Sequence, residues 1–305
     1  MWVHSVFRAA VNLSAPDGHL LTLLSAEVGD VPCGVRLDST EDFSGLGIAA
    51  GDAGAFGADA IVVERSDGGG ALRVDCASAR RLAALAPPAL RGDGALWRLG
   101  VARLDALQER LATDLRVAAL LLDGRPCGAM SLRLTEAACA LGRAVRAGRP
   151  EATRAAATRL IGLGPGLTPA GDDFLCGFLA AAYGRCAARP AQSRRLAALV
   201  EVLRPLLTQT TAVSAAFLRS ALGGRFSQPL LALAEACAAA PDGDLDGALG
   251  RLAAVGHSSG LDAATGFFYG ATVWGGAAGV QRRATRSDVP LSLTLDRSVF
   301  VTVGG

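Results

Sequence analysis

The sequence contains no lysine, so all 30 of its basic residues are arginine. That absence removes a Schiff base, a lysine general base and the ammonium group of a phosphate-binding P-loop from the available chemistry. Arginine still offers carboxylate or phosphate a planar, bidentate partner. Aromatic residues are scarce at 5%, and the net charge is only +2 with no basic block. Without concentrated positive potential, a nucleic-acid groove is not expected. Seven cysteines stand at 33, 76, 127, 139, 176, 186 and 237. They are odd in number and scattered, and neither CxxC spacing nor paired histidines suggest zinc, so they read as reduced, mostly buried thiols. Polar residues break every short apolar run of MWVHSVFRAAVNLSAPDGHLL. No signal-peptide core is present there, and the cytoplasm is the expected compartment.

What the chain does have is length and alanine. Its 305 residues suffice for a substantial core, and much of the 51% hydrophobic fraction is alanine, which favours helix. Within the first hundred residues, HLLTLLSAE, AIVVE, ALRVD and LWRLG alternate with the turn clusters APDG, SDGGG and RGDG, the pattern of strands and hairpins. Residues 41–59 form a long glycine-rich connection, either a loop reaching toward a ligand or a surface excursion; the second is favoured. From about Val101 leucines recur at helical spacing. ALLLDGRP reads as a brief return to strand. Helices are expected over 135–147, 151–161, 172–187, 192–208, 210–222, 229–239, 244–254 and 260–280. The C-terminal VPLSLTLDRSVFVTV alternates and can return to the N-terminal sheet as a strand. The expected fold is therefore α+β, with a β-rich region over 1–100 packed on a mainly helical region over 101–305, and no linker long enough to free one from the other.

Residues Ala263 to Val280 are uncharged and carry GxxxG spacing at Gly266/Gly270 and Gly275/Gly279. A membrane span would need a longer apolar run with fewer glycines, so close helix packing inside a globular core is the expectation, and no membrane partner is expected.

Two glycine-rich segments concentrate the chemistry. In GLGPGLTPAGDD (162–173), alternating glycines such as Gly164 and Gly166 free the backbone for positive φ and close approach to a ligand. Thr168 precedes Pro169, which predicts Thr168 as an N-cap with proline in the first turn and free N–H groups near Gly171. GHSSGLD (256–262) repeats the design with Ser258, Ser259 and Gly260. The spacing GxDxxxGF occurs twice, at Gly171, Asp173, Gly177, Phe178 and at Gly260, Asp262, Gly266, Phe267. Two helix starts of one design, facing each other, would line a single pocket between helices. Asp172 and Asp173 already use the positive helix end and would repel a bare anion. A divalent metal bridging an aspartate to phosphate, or a substrate with amide N–H groups beside its anionic end, would offset them.

His257 can donate to an anion or act as acid or base near neutral pH. A triad from Ser258 or Ser214, His257 and Asp262 lacks a GxSxG elbow and is disfavoured. Thr211 and Ser214, with Thr210 just before, are placed to hydrogen-bond a ligand, although helix hydroxyls more often bond back to their own backbone. Each element also has a plain structural reading, as capping or dipole complementation. The repetition of the whole arrangement favours a site.

GLGPGLTPAGDDFLCGF resembles the signature of the AllH-like family, and GHSSGLDAATGF resembles its second block, with the Thr/Ser helix and a GGRF turn between them in the expected order. The resemblance covers the helical half closely and the first hundred residues loosely. Ala170 departs from it where serine is expected. The family is associated with a subunit of bacterial oxamate carbamoyltransferase. The resemblance thus implies a multi-subunit enzyme that converts oxamate and carbamoyl phosphate to oxalurate and phosphate, or runs the reverse in allantoin catabolism, a branch of purine degradation. In that reading helix N–H groups and Thr168 hold the anion. Asp172, Asp173 or Asp262 accept from the amide or bind magnesium, and His257 with Ser258 or Ser259 stabilises developing charge. The rival readings are a non-catalytic metabolite-binding or assembly subunit and a stand-alone metal-dependent hydrolase of a small anionic amide.

Overall fold

The computed structural model describes residues 1–81, 86–91, 94–111, 113–122, 124–239 and 242–275. It is an α+β fold, with seven strands followed by ten α-helices among the described residues. Strands β1 (Trp2–Phe7), β2 (Ala10–Ser14), β3 (Leu20–Leu24) and β4 (Gly34–Arg36) form one sheet in that order. The first three are antiparallel, and β4 runs parallel to β3. Strands β5 (Gly54–Phe56), β6 (Ala60–Glu64) and β7 (Ala71–Asp75) form a second, antiparallel sheet. Two of the three predicted turn clusters join strands: APDG links β2 to β3 through Gly18 at φ 77°, and SDGGG links β6 to β7; RGDG lies partly outside the described residues. The Val3 amide donates to the Asp52 carbonyl at 2.8 Å and so ties the first sheet to the second. Alternate residues, among them Val11, Leu13, Leu23, Ile61, Val63 and Val74, turn inward to one core.

The glycine-rich connection of residues 41–59 is more than a surface excursion. Phe43 and Ile48 are buried in that core, and the buried Asp52 carboxylate accepts from the Ala49 and Ser66 amides. These bonds, with the Ala49 bond the largest cause, hold Asp52 below the usual carboxylate range.

The helical part comprises α1 (Gly94–Leu111), α2 (Val117–Leu121), α3 (Gly128–Arg146), α4 (Pro150–Leu160), α5 (Ala170–Ala188), α6 (Ser193–Leu203), α7 (Ala212–Leu222), α8 (Gln228–Ala238), α9 (Leu245–Ala253) and α10 (Ser259–Trp274). A 3-10 stretch, Arg204–Gln209, links α6 to α7. α5 and α10 are apolar almost all round and form the centre, as expected of helices covered on every side. The uncharged run that opens at Ala263 therefore lies inside the core: Ala264, Phe267 and Trp274 have no exposed surface. No helix among the described residues is long and apolar enough to cross a membrane. Strand and helix parts meet where the Gln228 amide donates to the Asp30 carbonyl at 2.7 Å and the Asp30 amide donates back to Gln228 Oε1.

Some expectations change. LWRLG belongs to α1, and ALLLDGRP opens with the short helix α2 instead of a strand. Runs this short have no resolvable period; Trp97 of α1 packs against Phe267 and Phe268, and α2 buries Val117, Ala118 and Leu120 in the same core. All seven cysteines are free, but only Cys186 and Cys237 are buried; Cys33 and Cys127 are exposed. The expected C-terminal strand and the last residues of the 260–280 helix lie outside the described residues.

Candidate functional site

The two copies of GxDxxxGF build the crossing of α5 and α10. A Cβ on Gly177 would overlap the Ala263 carbonyl oxygen, and a Cβ on Gly266 would overlap that of Phe174. Gly270 lies over Phe178, so contacts advance in the same direction along both helices, and the pair is parallel. Backbones this close need glycine at each contact. Each helix also presses its first glycine against the end of the preceding one, Gly171 on Leu160 and Gly260 on Leu252. Both N-termini therefore sit at one end of the pair.

They touch there through side chains. The Thr168 hydroxyl meets the Ser259 hydroxyl at 2.8 Å, across 91 residues of sequence. Beside this contact stand Asp173, from the first turn of α5, and Asp262, from the first turn of α10. Asp262 is 1% exposed, and neither of its carboxyl oxygens has a hydrogen-bond partner among the described residues. Oδ2 of Asp173 is likewise sealed and unpartnered. Thr168, Asp173, Ser258 and Ser259 are half-buried and form the rim.

Burial governs the ionisation of both acids. Asp173 is pushed well above the usual carboxylate range, first by loss of solvent; the Ser259 hydroxyl opposes this, and the charges of Asp262 and Asp172 add to it. Asp262 is pushed up to about 8, again chiefly by burial, with the Ser258 hydroxyl pulling down and the charge of Asp114 pushing up. Ser258 stands near Asp262 without hydrogen-bond geometry, so its relief is partial. Two helix N-termini favour the ionised forms by about 0.3–1 kcal/mol each. At about 1.4 kcal/mol per pKa unit that is too little to reverse the burial. Burial therefore favours the neutral form of both acids.

Asp172 does something different. Its carboxyl accepts from the Gly162 amide at 2.8 Å and from the Thr210 hydroxyl, latching the glycine loop to the start of α7. Burial still raises its pKa, against the pull of Thr210, Gly162 and Ser214. Gly162, Gly164 and Gly166 all have positive φ, and a Cβ on Gly164 would stand 2.7 Å from the Ala170 nitrogen. Thr211 and Ser214 serve this loop too: Thr211 caps α7 through the Ser214 amide, and both hydroxyls donate to the Leu167 carbonyl.

Two expectations about the helix starts are corrected. Thr168 is not the N-cap of α5; Pro169 holds that place without a side-chain cap, because the Thr168 hydroxyl is engaged by Ser259. The first-turn N–H groups are also not a free anion cradle. Gly171 donates to Leu163, Asp172 and Asp173 donate to Pro169, and Gly260 donates to Val255.

The site thus gathers Thr168, Asp173, Ser258, Ser259 and Asp262. His257 stands apart, exposed in the turn before α10. Gly166 is exposed at the loop tip. Among the described residues, no three His, Cys, Asp or Glu side chains are grouped as metal ligands. A surface pocket lined by Arg133, Thr158, Arg159 and Ile161–Leu163 adjoins the Gly162 turn but contains neither Asp173 nor Asp262. Its Arg159 is partly engaged by Glu136 at 3.3 Å. The unpartnered carboxyls, not this pocket, mark where a guest would complete the protein's hydrogen bonding.

Sequence reasoning missed Gln108 and Asp114. Gln108 is fully buried on α1 and its amide donates to Thr265 Oγ1 and the Leu115 carbonyl, both at 2.8 Å, while accepting from the Val117 amide. It fixes the turn of α10 that follows Asp262. A polar residue in register with the apolar positions Val101 and Leu104 was the available signal.

The architecture defines an α+β protein with a polar cluster at paired helix starts. A family model described as oxamate carbamoyltransferase subunit AllH matches residues 160–271, and the model of the AllH family N-terminal domain matches residues 2–81. Together these take in well over half of the chain, which belongs to the AllH family. The family description is that of a subunit and implies other chains in a complex. No solved structure matches the chain.

Proposed function

We propose that this chain supplies the amide-handling site of a multi-subunit carbamoyltransferase that converts oxamate and carbamoyl phosphate to oxalurate and phosphate. The family supports the reaction class. The observation that carries the site is the Thr168–Ser259 contact with Asp173 Oδ2 and both Asp262 carboxyl oxygens beside it, unpartnered among the described residues. In the reaction the oxamate nitrogen attacks the carbamoyl carbon, the carbon–oxygen bond to phosphate breaks, and the proton lost from nitrogen ends on phosphate. Asp173, on the rim and with burial favouring its protonated form, suits donation of a proton to the departing phosphate, after which it regains one from the attacking nitrogen. The hydroxyls of Thr168, Ser258 and Ser259 suit the oxygen on which charge develops. Asp172 acts through the loop it holds.

The test is carbamoyl transfer from carbamoyl phosphate to oxamate by the chain co-purified with its partner subunits. Asp173→Asn is expected to lower kcat at least about a hundredfold, within the range of general acid–base contributions, while the complex still assembles. Unchanged transfer would assign the chain to assembly or metabolite binding, with the chemistry on a partner.

A further inference from the structure

We propose that Asp173 and Asp262 together form a subsite for the primary carboxamide end of a small ligand, read by complementary hydrogen bonds. The inference deepens the carbamoyltransferase reading and rests on it only for the choice of probe. A neutral carboxyl presents one O–H donor and one carbonyl acceptor side by side. A primary amide presents the reverse pair, one carbonyl acceptor and one N–H donor, so the two groups close a planar pair of hydrogen bonds. An ionised carboxylate has lost the donor and can take only the N–H half. The geometry matches this need. Three carboxyl oxygens of the two residues lack partners among the described residues, Asp262 is buried and Asp173 half-buried near the Thr168–Ser259 contact, and the hydroxyls of Thr168, Ser258 and Ser259 suit the other end of a small ligand.

No cation among the described residues neutralises the pair. The charged or titratable groups acting on it are Asp172 on α5 and Asp114 ahead of α2, and Cys176 on α5 is itself held neutral by burial. On α9, Asp246 is engaged by Arg103. Cys139, Arg143 and Arg146 of α3 act on Tyr269, two turns further along α10. A bare anion is therefore disfavoured in the subsite and an amide favoured, and raising the pH removes the donor the amide carbonyl needs.

The test is titration calorimetry of the chain co-purified with its partner subunits. The probes are oxamate, oxalate and N,N-dimethyloxamate; the last two keep the two-carbon core but lack the amide N–H. Oxamate is expected to bind at least about tenfold more tightly than either, one hydrogen-bonded contact's worth of discrimination. Its affinity falls between pH 6.5 and pH 9.5, by at most about thirtyfold for a group titrating near 8. Asp262→Asn, which keeps one donor and one acceptor but cannot titrate, binds oxamate more weakly and with little pH dependence. Asp262→Leu, with its fold checked by circular dichroism, loses binding. Equal binding of the three probes, no binding of oxamate by the unsubstituted complex, or a wild-type pH slope in Asp262→Asn overturns the subsite. Oxamate binding with these features in a complex that transfers no carbamoyl group would keep the subsite and sink the transferase reading. Transfer that needs Asp173 while the pH slope persists in Asp262→Asn would do the opposite.

Discussion

Asp262→Asn should make the protein more stable, by an amount that depends on pH in a defined way. The Asp262 carboxyl is 1% exposed, unpartnered and raised to about 8 from an ordinary 3.8. Below pH 3.8 the acid is neutral whether the chain is folded or not, and the full contribution of the neutral group to stability is present. As pH rises past 3.8 the unfolded chain ionises while the folded one does not, so stability falls until the folded group itself titrates near 8. At about 1.4 kcal/mol per unit, the loss accumulated by pH 7 is at most about 4 kcal/mol, and about 2–4 after the helix N-termini are allowed for. Asparagine resembles the neutral acid in shape and in its unmet hydrogen bonds, so the substitution removes the titration and little else. Urea denaturation of wild type and Asp262→Asn at pH 4, 5.5, 7 and 8.5 should show curves that coincide at the lowest pH and separate steadily above it. A variant less stable than wild type at pH 7, or a difference constant with pH, would refute the view that burial dominates this carboxyl.

Gly177→Ala places a methyl against the Ala263 backbone, which cannot rotate away, and should cost about 3 kcal/mol or more, read as a lowered thermal midpoint. Asp172→Ala strips acceptors from the Gly162 amide and the Thr210 hydroxyl, at about 2–4 kcal/mol, and should speed hydrogen exchange at Gly162 ahead of the helix interiors. Gln108→Leu leaves the Val117 amide and the Leu115 carbonyl unmet in the core; a loss of about 2–4 kcal/mol in unfolding free energy, read as a lowered urea midpoint, is expected.

Much of the helical half was legible because its signals are local. Pro150 opens α4 within one residue of the expected start, and the leucine spacing of α6, α8 and α9 set those helices to within a residue or two at most ends. The positive φ angles of Gly162, Gly164 and Gly166 followed from their alternation. What could not be read was anything decided across the chain. Thr168 has the local look of an N-cap, yet its hydroxyl is claimed by Ser259, 91 residues away. Asp172 and Asp173 are adjacent and chemically alike, but helix phase turns the first toward Gly162 and Thr210 and the second toward α10. Only coordinates separate their duties. The strands β1 and β2 escape a sequence reading because Arg8 and Ala9 form a turn without glycine or proline to announce it.

The repeated GxDxxxGF explains why unpaired acids occur where they do. Each glycine in it allows the other helix to lie against bare backbone, and that contact made twice in the same direction fixes a parallel pair. An antiparallel pair with centres aligned would have set Asp173 and Asp262, each the fourth residue of its helix, roughly 16 Å apart along the axis, at about 1.5 Å per residue. The parallel choice brings two positive helix ends together, and two carboxyls would be the natural groups to offset them if ionised. Burial instead favours the neutral form of both acids, and three carboxyl oxygens have no partner among the described residues. Burying these carboxyl oxygens without partners costs stability. A fold otherwise consistent from turn chemistry to core packing keeps such a defect where a guest completes it. A small amide supplies both the donor and the acceptor that the acids lack, and adds no charge at the floor of the site.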